Sequence, residues 1–366
     1  MYNFYYLVTS FGNIPYSQAF NTSLPFPKFD DAATVYGELL TRLNTDEANL
    51  KTTSASWGSA DQIYNGDPAQ WRKFANALKI RMGVTISDVP GSNAQAIIDT
   101  AYNDGAFASN ADNALMTYYA SPPNTNPTWV ELIQSGRHDY VATDSFMAYL
   151  GVPSKGSATY TDPRTPYFFA EATAGSAIGK YKGSVVAAVV TASDYSLPSG
   201  PLYTPGSIGE LSNPDYPGDV LDYSEQEFNL AEAAAKGITG IGDAATHYAN
   251  AVKASIVYWT EGTNDGTAYL AANPINVATE ASMLTSIAQQ EYIALYNKGW
   301  DAWNMTRRLD YPTFGPIPGA YSAFPVRLTY PVVEQNANPV NETAAAKAIG
   351  GDKVTTKLWF DTQGIY

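Results

Sequence analysis

Groups able to do acid–base or nucleophilic chemistry are few in this sequence and poorly spaced for it. It holds two histidines, His138 and His247, and no cysteine. Thiolate nucleophiles, disulfides and Cys-based zinc or iron–sulfur sites are therefore excluded from the chain. A Ser-His-Asp arrangement has few centres to choose from. His247 adjoins Tyr248 in a helical pattern and reads as a packing histidine; His138 lies in the loop "SGRHDY" beside Asp139. Glycoside hydrolysis needs only two carboxylates flanking a sugar, which 35 acidic residues do not exclude. Yet Glu225 and Glu227 fall on different faces of one helix, and Asp30 and Asp31 read as a helix start. "GSAIGK" at 175–180 has three residues between its glycines, one short of a phosphate loop, and Tyr181 where Ser or Thr would bind magnesium. No HExxH, GxGxxG or EF-hand spacing is present, and no acidic spacing supports calcium. The expectation is no catalytic residue, no metal and no cofactor.

Charge narrows the partners. The net charge is −14, with no run of Lys and Arg, so phosphate neutralisation on nucleic acid is excluded and anionic membrane surfaces are disfavoured. A neutral ligand such as a glycan suits this balance, although solubility alone accounts for it. The longest apolar run, "SVVAAVV", is far short of the about 20 residues that span a bilayer. The first residues, "MYNFYYLVTSFGNIPYSQAF", have no basic region or cleavage site and read as a chain entered partway through an element.

The elements that must position any site are helical pairs. Trp71, Phe74, Ala75 and Leu78 follow the tetratricopeptide order for a first helix, and Ala94, Ile98 and Ala101 loosely that for a second. Phe228, Ala231 and Ala235, then Ala244, Tyr248 and Ala251, fit better. Ala32, Tyr36 and Leu39 suggest a third second-helix. Small residues at these positions let antiparallel helices approach while large ones interlock. A further helix is expected through "SMLTSIAQQEYIALYNKGWDAWNMTRRLDYP", ended by Pro312. With 28 Gly and 23 Pro, long irregular segments lie between the pairs. The expected fold is mainly α: one domain over 1–366, with a helical scaffold about 1–104 and 225–311, a loop-rich ligand-side insertion about 105–224 and an irregular segment 312–366.

"WRKFANALKIRMGVTIS" resembles the signature helix of the SusD/RagB family, with Trp71, Phe74, Ala75, Asn76, Arg81, Ile86 and Ser87 at the matching places. "FGNIPYSQAF", "YTDPR" with Asp162, Pro163 and Arg164, "YSEQEFNLAEAAAKG" and "QQEYIALYNKGWDAWNMTRRLDYP" agree in order. So do "VRLTYPVVEQNAN" and "GGDKVTTKLWFD". The chain departs from the family at Phe360, where a Trp is usual, and at its start, where the lipidated cysteine and preceding helices are missing; it resembles a truncated member. Asn76, Arg81, Arg164, Arg307 and Arg308, polar groups within apolar helices or beside them, are expected to tie loops to the scaffold.

The resemblance implies a non-catalytic, cell-surface outer-membrane lipoprotein that binds an oligosaccharide or polysaccharide and delivers it to a SusC-like TonB-dependent transporter. Such a site presents aromatic rings to sugar faces, with polar side chains for the hydroxyls. Aromatics in loops are the candidates: Trp129 foremost, then Trp57, Tyr118, Tyr119, Tyr203 and Tyr216, with Asn124 and Asn126 beside Trp129. Two alternatives stay open, a repeat scaffold binding protein on a concave face without carbohydrate affinity, and a glycosidase with a carboxylate pair in a cleft.

Overall fold

The computed structural model describes residues 1–50, 56–137, 139–198, 213–317, 319–362 and 364. Its elements are α1 (Tyr2–Phe11), α2 (Ala32–Asn49), α3 (Pro68–Thr85), α4 (Ala94–Asn103), the short α5 (Pro127–Trp129), α6 (Asp144–Tyr149), α7 (Thr165–Phe168), α8 (Tyr223–Ala235), α9 (Ala244–Trp259), α10 (Thr267–Ala272), α11 (Glu280–Ala294), α12 (Gly299–Leu309), α13 (Val332–Ala337) and α14 (Pro339–Ala348). Strands β1 (Ala114–Met116) and β2 (Gly218–Leu221) form an antiparallel ribbon pairing Met116 with Gly218 and Ala114 with Leu221.

Aspartates start the scaffold helices: Asp31, Asp67, Asp222 and Asp243 each accept a backbone N–H in the first turn of α2, α3, α8 and α9. This satisfies an orphan donor and favours the positive helix end. The expected pairs form. Ala75, Leu78, Ile98 and Ala101 are buried where α3 packs on α4, and Phe228, Ala231, Tyr248 and Ala251 where α8 packs on α9. The third second-helix is α2, whose Ala32, Tyr36 and Leu39 are buried and which packs between α1 and α3. α3 is central, buried from Phe74 to Thr85 against α2, α4 and α8.

Two expectations are corrected. The helix through 282–312 is two helices, broken between Ala294 and Gly299, where Asn297 turns left-handed at φ 63°. The break turns the Lys298 ammonium into three carboxylates, 2.8 Å from Glu225, 3.0 Å from Asp222 and 3.3 Å from Asp219. The 312–366 segment also contains α13 and α14. Their surfaces are short of apolar periodicity because they sit on the outside, pinned to the loop near residue 27 by Asn338 and Asn341.

The motif arginines hold these pieces together. Arg81 reaches from α3 to Glu225 (2.6 Å) on α8 and Asp301 (3.4 Å) on α12. Arg164 pairs with Asp162 (2.6 Å) and bonds Ser255 and Gln290, joining α7 to α9 and α11. Arg308 grips Glu232 with two nitrogens. Arg307 donates to the carbonyls of Thr9 and Val326. Asn76 donates to the Gly105 carbonyl, anchoring the start of the insertion.

Candidate functional site

A concave surface lined by two tryptophans is built on the loop that leads into α3. Asp61 organises it. Its carboxylate accepts the backbone N–H groups of Ile63 (3.0 Å), Tyr64 (3.3 Å) and Gly66 (2.9 Å), and the indole N–H of Trp71 (2.7 Å). Burial works against the charged form, but these donors outweigh it and hold the carboxyl below the usual range. The loop then folds back so tightly that Gly66, at φ +79°, leaves no room for a side chain: a Cβ would lie 2.5 Å from the Gly58 nitrogen. At the loop's tip stands Trp57, 83% exposed. Phe20 is more exposed still, at 93%, and single exposed apolar side chains are ordinary; what distinguishes Trp57 is its place on the lining of a cleft.

The facing wall comes from the ribbon. Beyond Met116 the chain donates from Thr117 N–H to the Gln62 carbonyl at 3.1 Å, and the Tyr119 hydroxyl donates to Gln62 Oε1, also at 3.1 Å. Two segments far apart in sequence are thus joined at Gln62. Between them lies a cleft of about 660 Å³, within the range of small-molecule sites. Its apolar lining is Leu50, Trp57, Ala60, Ile63, Pro68, Trp71 and Met116, and its polar lining is Asn49, Ser56, Asp61 and Gln62.

The sequence candidates fall into two groups. Trp57, Tyr119 and Asn124 are exposed, and Asn124 holds the Tyr119 loop through its backbone carbonyl (2.8 Å). Half-buried Tyr118 lies against Gly218 on the ribbon. These four line or adjoin the cleft's outer wall. Tyr216 and Asn126, by contrast, are buried. The Asn126 amide donates to the Tyr216 carbonyl (2.7 Å), and its oxygen accepts from Thr128 and Trp129, capping α5. The Tyr216 ring lies parallel to Trp259 at 6.2 Å. Both residues are occupied in packing the insertion onto α9. Trp129 is half-buried on α5. Tyr203 lies outside the described residues.

Ile63, Gln62 and Met116 also line the cleft, with no motif to single them out, and Trp71, which the repeat pattern assigns to helix packing, joins them. Trp71 does pack, edge-on to Tyr64 at 5.1 Å and to Phe74 at 5.3 Å, but it also lines the cleft. The turn-rich "YNGDP" before α3 was the available signal for a folded-back loop.

The carboxylate candidates diverge as expected. Glu225 faces Arg81 and Lys298, whereas Glu227 accepts from the His247 ring (2.9 Å) and the Asn250 amide. His247 is buried between Glu227 and the Ile241 carbonyl; burial favours its neutral form, but these acceptors prevail and raise its pKa. Asp31 caps α2, and Asp30 accepts from the Tyr16 and Ser17 backbone. His138 lies outside the described residues. Among the described residues, no helix is long and apolar enough to cross a membrane.

A family model described as starch-binding and associating with the outer membrane, the SusD-like family, matches residues 1–331. No curated protein matches. Solved structures do. One named a chitin-binding protein is 26% identical with TM-score 0.81, over 98% of this chain and 78% of its own. A SusD-like protein from Bacteroides thetaiotaomicron VPI-5482 is 25% identical with TM-score 0.80, over 98% and 79%. A chitin-binding SusD homolog from Flavobacterium johnsoniae, 23% identical with TM-score 0.82 over 98% and 78%, is similar in fold.

Proposed function

The chain belongs to the SusD-like family, and from that premise we propose that it binds an oligosaccharide in the cleft between Trp57 and Met116 without catalysing any reaction on it. The observation that carries the reading is the Trp57 indole, exposed and lining a concave surface together with Trp71. Sugar rings present C–H faces that stack on an indole, while hydroxyls at the rim bond amides and hydroxyls. Gln62, Asn49 and Asn124 supply such groups on the cleft and its outer wall. A non-catalytic role is supported by the divergence of Glu225 and Glu227, each engaged by a cation or a histidine inside the scaffold.

The protein acts at the cell surface as an outer-membrane lipoprotein, handing glycan to a TonB-dependent transporter; family membership supports this. Residues 1–366 are one domain in which the insertion 105–224 serves the ligand side. The pairing of β1 with β2 at its two ends supports that division.

The test is native affinity electrophoresis through gels containing starch, chitin derivatives or other polysaccharides. Wild type is retarded in at least one gel. Trp57→Ala loses most of that retardation, since truncating a hot-spot aromatic weakens binding by about 30-fold or more. Trp129→Ala retains it. Retardation lost in Trp129→Ala and kept in Trp57→Ala would move the site away from this cleft.

A further inference from the structure

The family is described as starch-binding and two similar structures are named chitin-binding; starch and chitin are polymers of different chemistry. Resting on the binding reading above, we infer that the cleft selects neutral sugars bearing acetamido groups over unsubstituted or acidic sugars.

Three features carry this. The first is the apolar lining. A stacked sugar needs one ring face, which Trp57 offers, but the lining also includes Ile63, Met116, Ala60 and Pro68. A hydroxyl pressed against that surface gives up its water partners and finds none, which is unfavourable. A methyl group placed there gains about fourfold in affinity for each one buried.

The second is charge. Asp61 is the one ionisable group among the described residues lining the cleft. Its oxygens are already engaged by four N–H donors, and it stays ionised. A fixed anion with no lining cation repels uronate or sulfate groups.

The third is the rim. Ser56 Oγ accepts from the Gly58 N–H at 3.3 Å, leaving its own proton to donate. Exposed Asn49 contributes an amide that both donates and accepts. An acetamido group has one N–H and one C=O to satisfy, with a methyl beyond them. The polar and the apolar parts of the lining together offer a partner to each of these three groups.

The experiment is calorimetric titration of the protein with N-acetyl-chito-oligosaccharide and cello-oligosaccharide of equal length, which differ only in the group at C2, with malto-oligosaccharide and oligogalacturonate alongside. The acetamido ligand binds about tenfold more tightly than either neutral comparison sugar, and the acidic one more weakly still. Met116→Gln, which makes the lining polar at an exposed position, reduces the preference, read as the ratio of the two affinities, to about twofold. Equal or tighter binding of an unsubstituted or acidic sugar, still lost in Trp57→Ala, would overturn the selectivity and leave the binding reading standing. Binding that Trp57→Ala does not weaken would overturn both.

Discussion

The Trp71 indole donates to Asp61 at 2.7 Å, so the first turn of α3 fixes the loop that carries Trp57. The ring lines the cleft while its nitrogen locks the carboxylate that gathers three backbone N–H groups. Asp61→Ala frees all four donors at once. Since a hydrogen bond to a charged group contributes about 1.5–3 kcal/mol, the loop loses its folded-back form. Glycan binding then falls by an order of magnitude or more, with only a modest drop in the global melting temperature. Trp71→Phe keeps an aromatic face, removes only one of the four donors to Asp61, and binds within a few-fold of wild type. Calorimetry on both variants checks this; wild-type affinity in Asp61→Ala would show the loop to be shaped by something else.

Gly83 on α3 faces Ile98 on α4 so closely that a Cβ would lie 2.5 Å from Ile98 Cγ1. The pair therefore approaches at a distance only a glycine permits. Gly83→Val should destabilise by about 1–3 kcal/mol through overpacking. Pairing it with Ile98→Ala recovers part of the loss, because the second change opens the space the first one fills. Urea unfolding of the two single variants and the double variant measures the coupling. Simple additivity would place the close approach elsewhere.

Lys298 balances Asp219, Asp222 and Glu225 from the break between α11 and α12. Lys298→Met removes the one ammonium that all three carboxylates share, and breaking a buried pair in this way costs about 3–5 kcal/mol. Conversely, Asn297→Gly keeps the left-handed turn at no steric cost and leaves stability nearly unchanged, whereas Asn297→Val loses about 1–2 kcal/mol. Chemical denaturation separates the three variants. Equal stability of Asn297→Gly and Asn297→Val would show that the turn is not held in the left-handed form.

The paired helices were legible because apolar and small residues recur at helical spacing on two helices at once, as Phe228, Ala231 and Ala251 do. The break at Asn297 was not, since Ile293, Tyr296 and Trp300 keep the helical period across it. The local signal against that period was Asn297, which tolerates the left-handed turn, with Gly299 two residues on; the break then places Lys298 among its carboxylates. The candidate cleft was partly legible. Trp129 is the foremost aromatic in the sequence reading, whereas Trp57, named behind it, is the one that lines the cleft. Tyr216, in an equally loop-like "NPDYPGD", is buried by α9, a packing partner that local sequence does not reveal. Met116 and Gln62 became neighbours only through the ribbon and the Tyr119 hydroxyl.

Glu291 gives the fold a distinctive alkaline limit. It is buried, its Oε2 has no hydrogen-bond partner, and its nearest cation, Arg308 at 3.8 Å, is already committed to Glu232. Burial, with Glu232, Glu225 and Asp301 nearby and Arg308 opposing, pushes its pKa up to about 8. A carboxyl whose folded pKa lies above its unfolded value near 4.3 contributes stability that is complete below that value and is lost as pH rises through about 8. Glu232 behaves oppositely: burial opposes its charge, Arg308 and Lys236 prevail, and its lowered pKa makes its contribution vanish as pH falls. Glu291→Gln stays neutral throughout, so its melting temperature relative to wild type should climb between pH 5 and pH 9 and exceed wild type at the alkaline end. Differential scanning calorimetry across that range checks it. A difference that is constant with pH, or that shrinks, would mean Glu291 is already ionised in the folded protein at neutral pH.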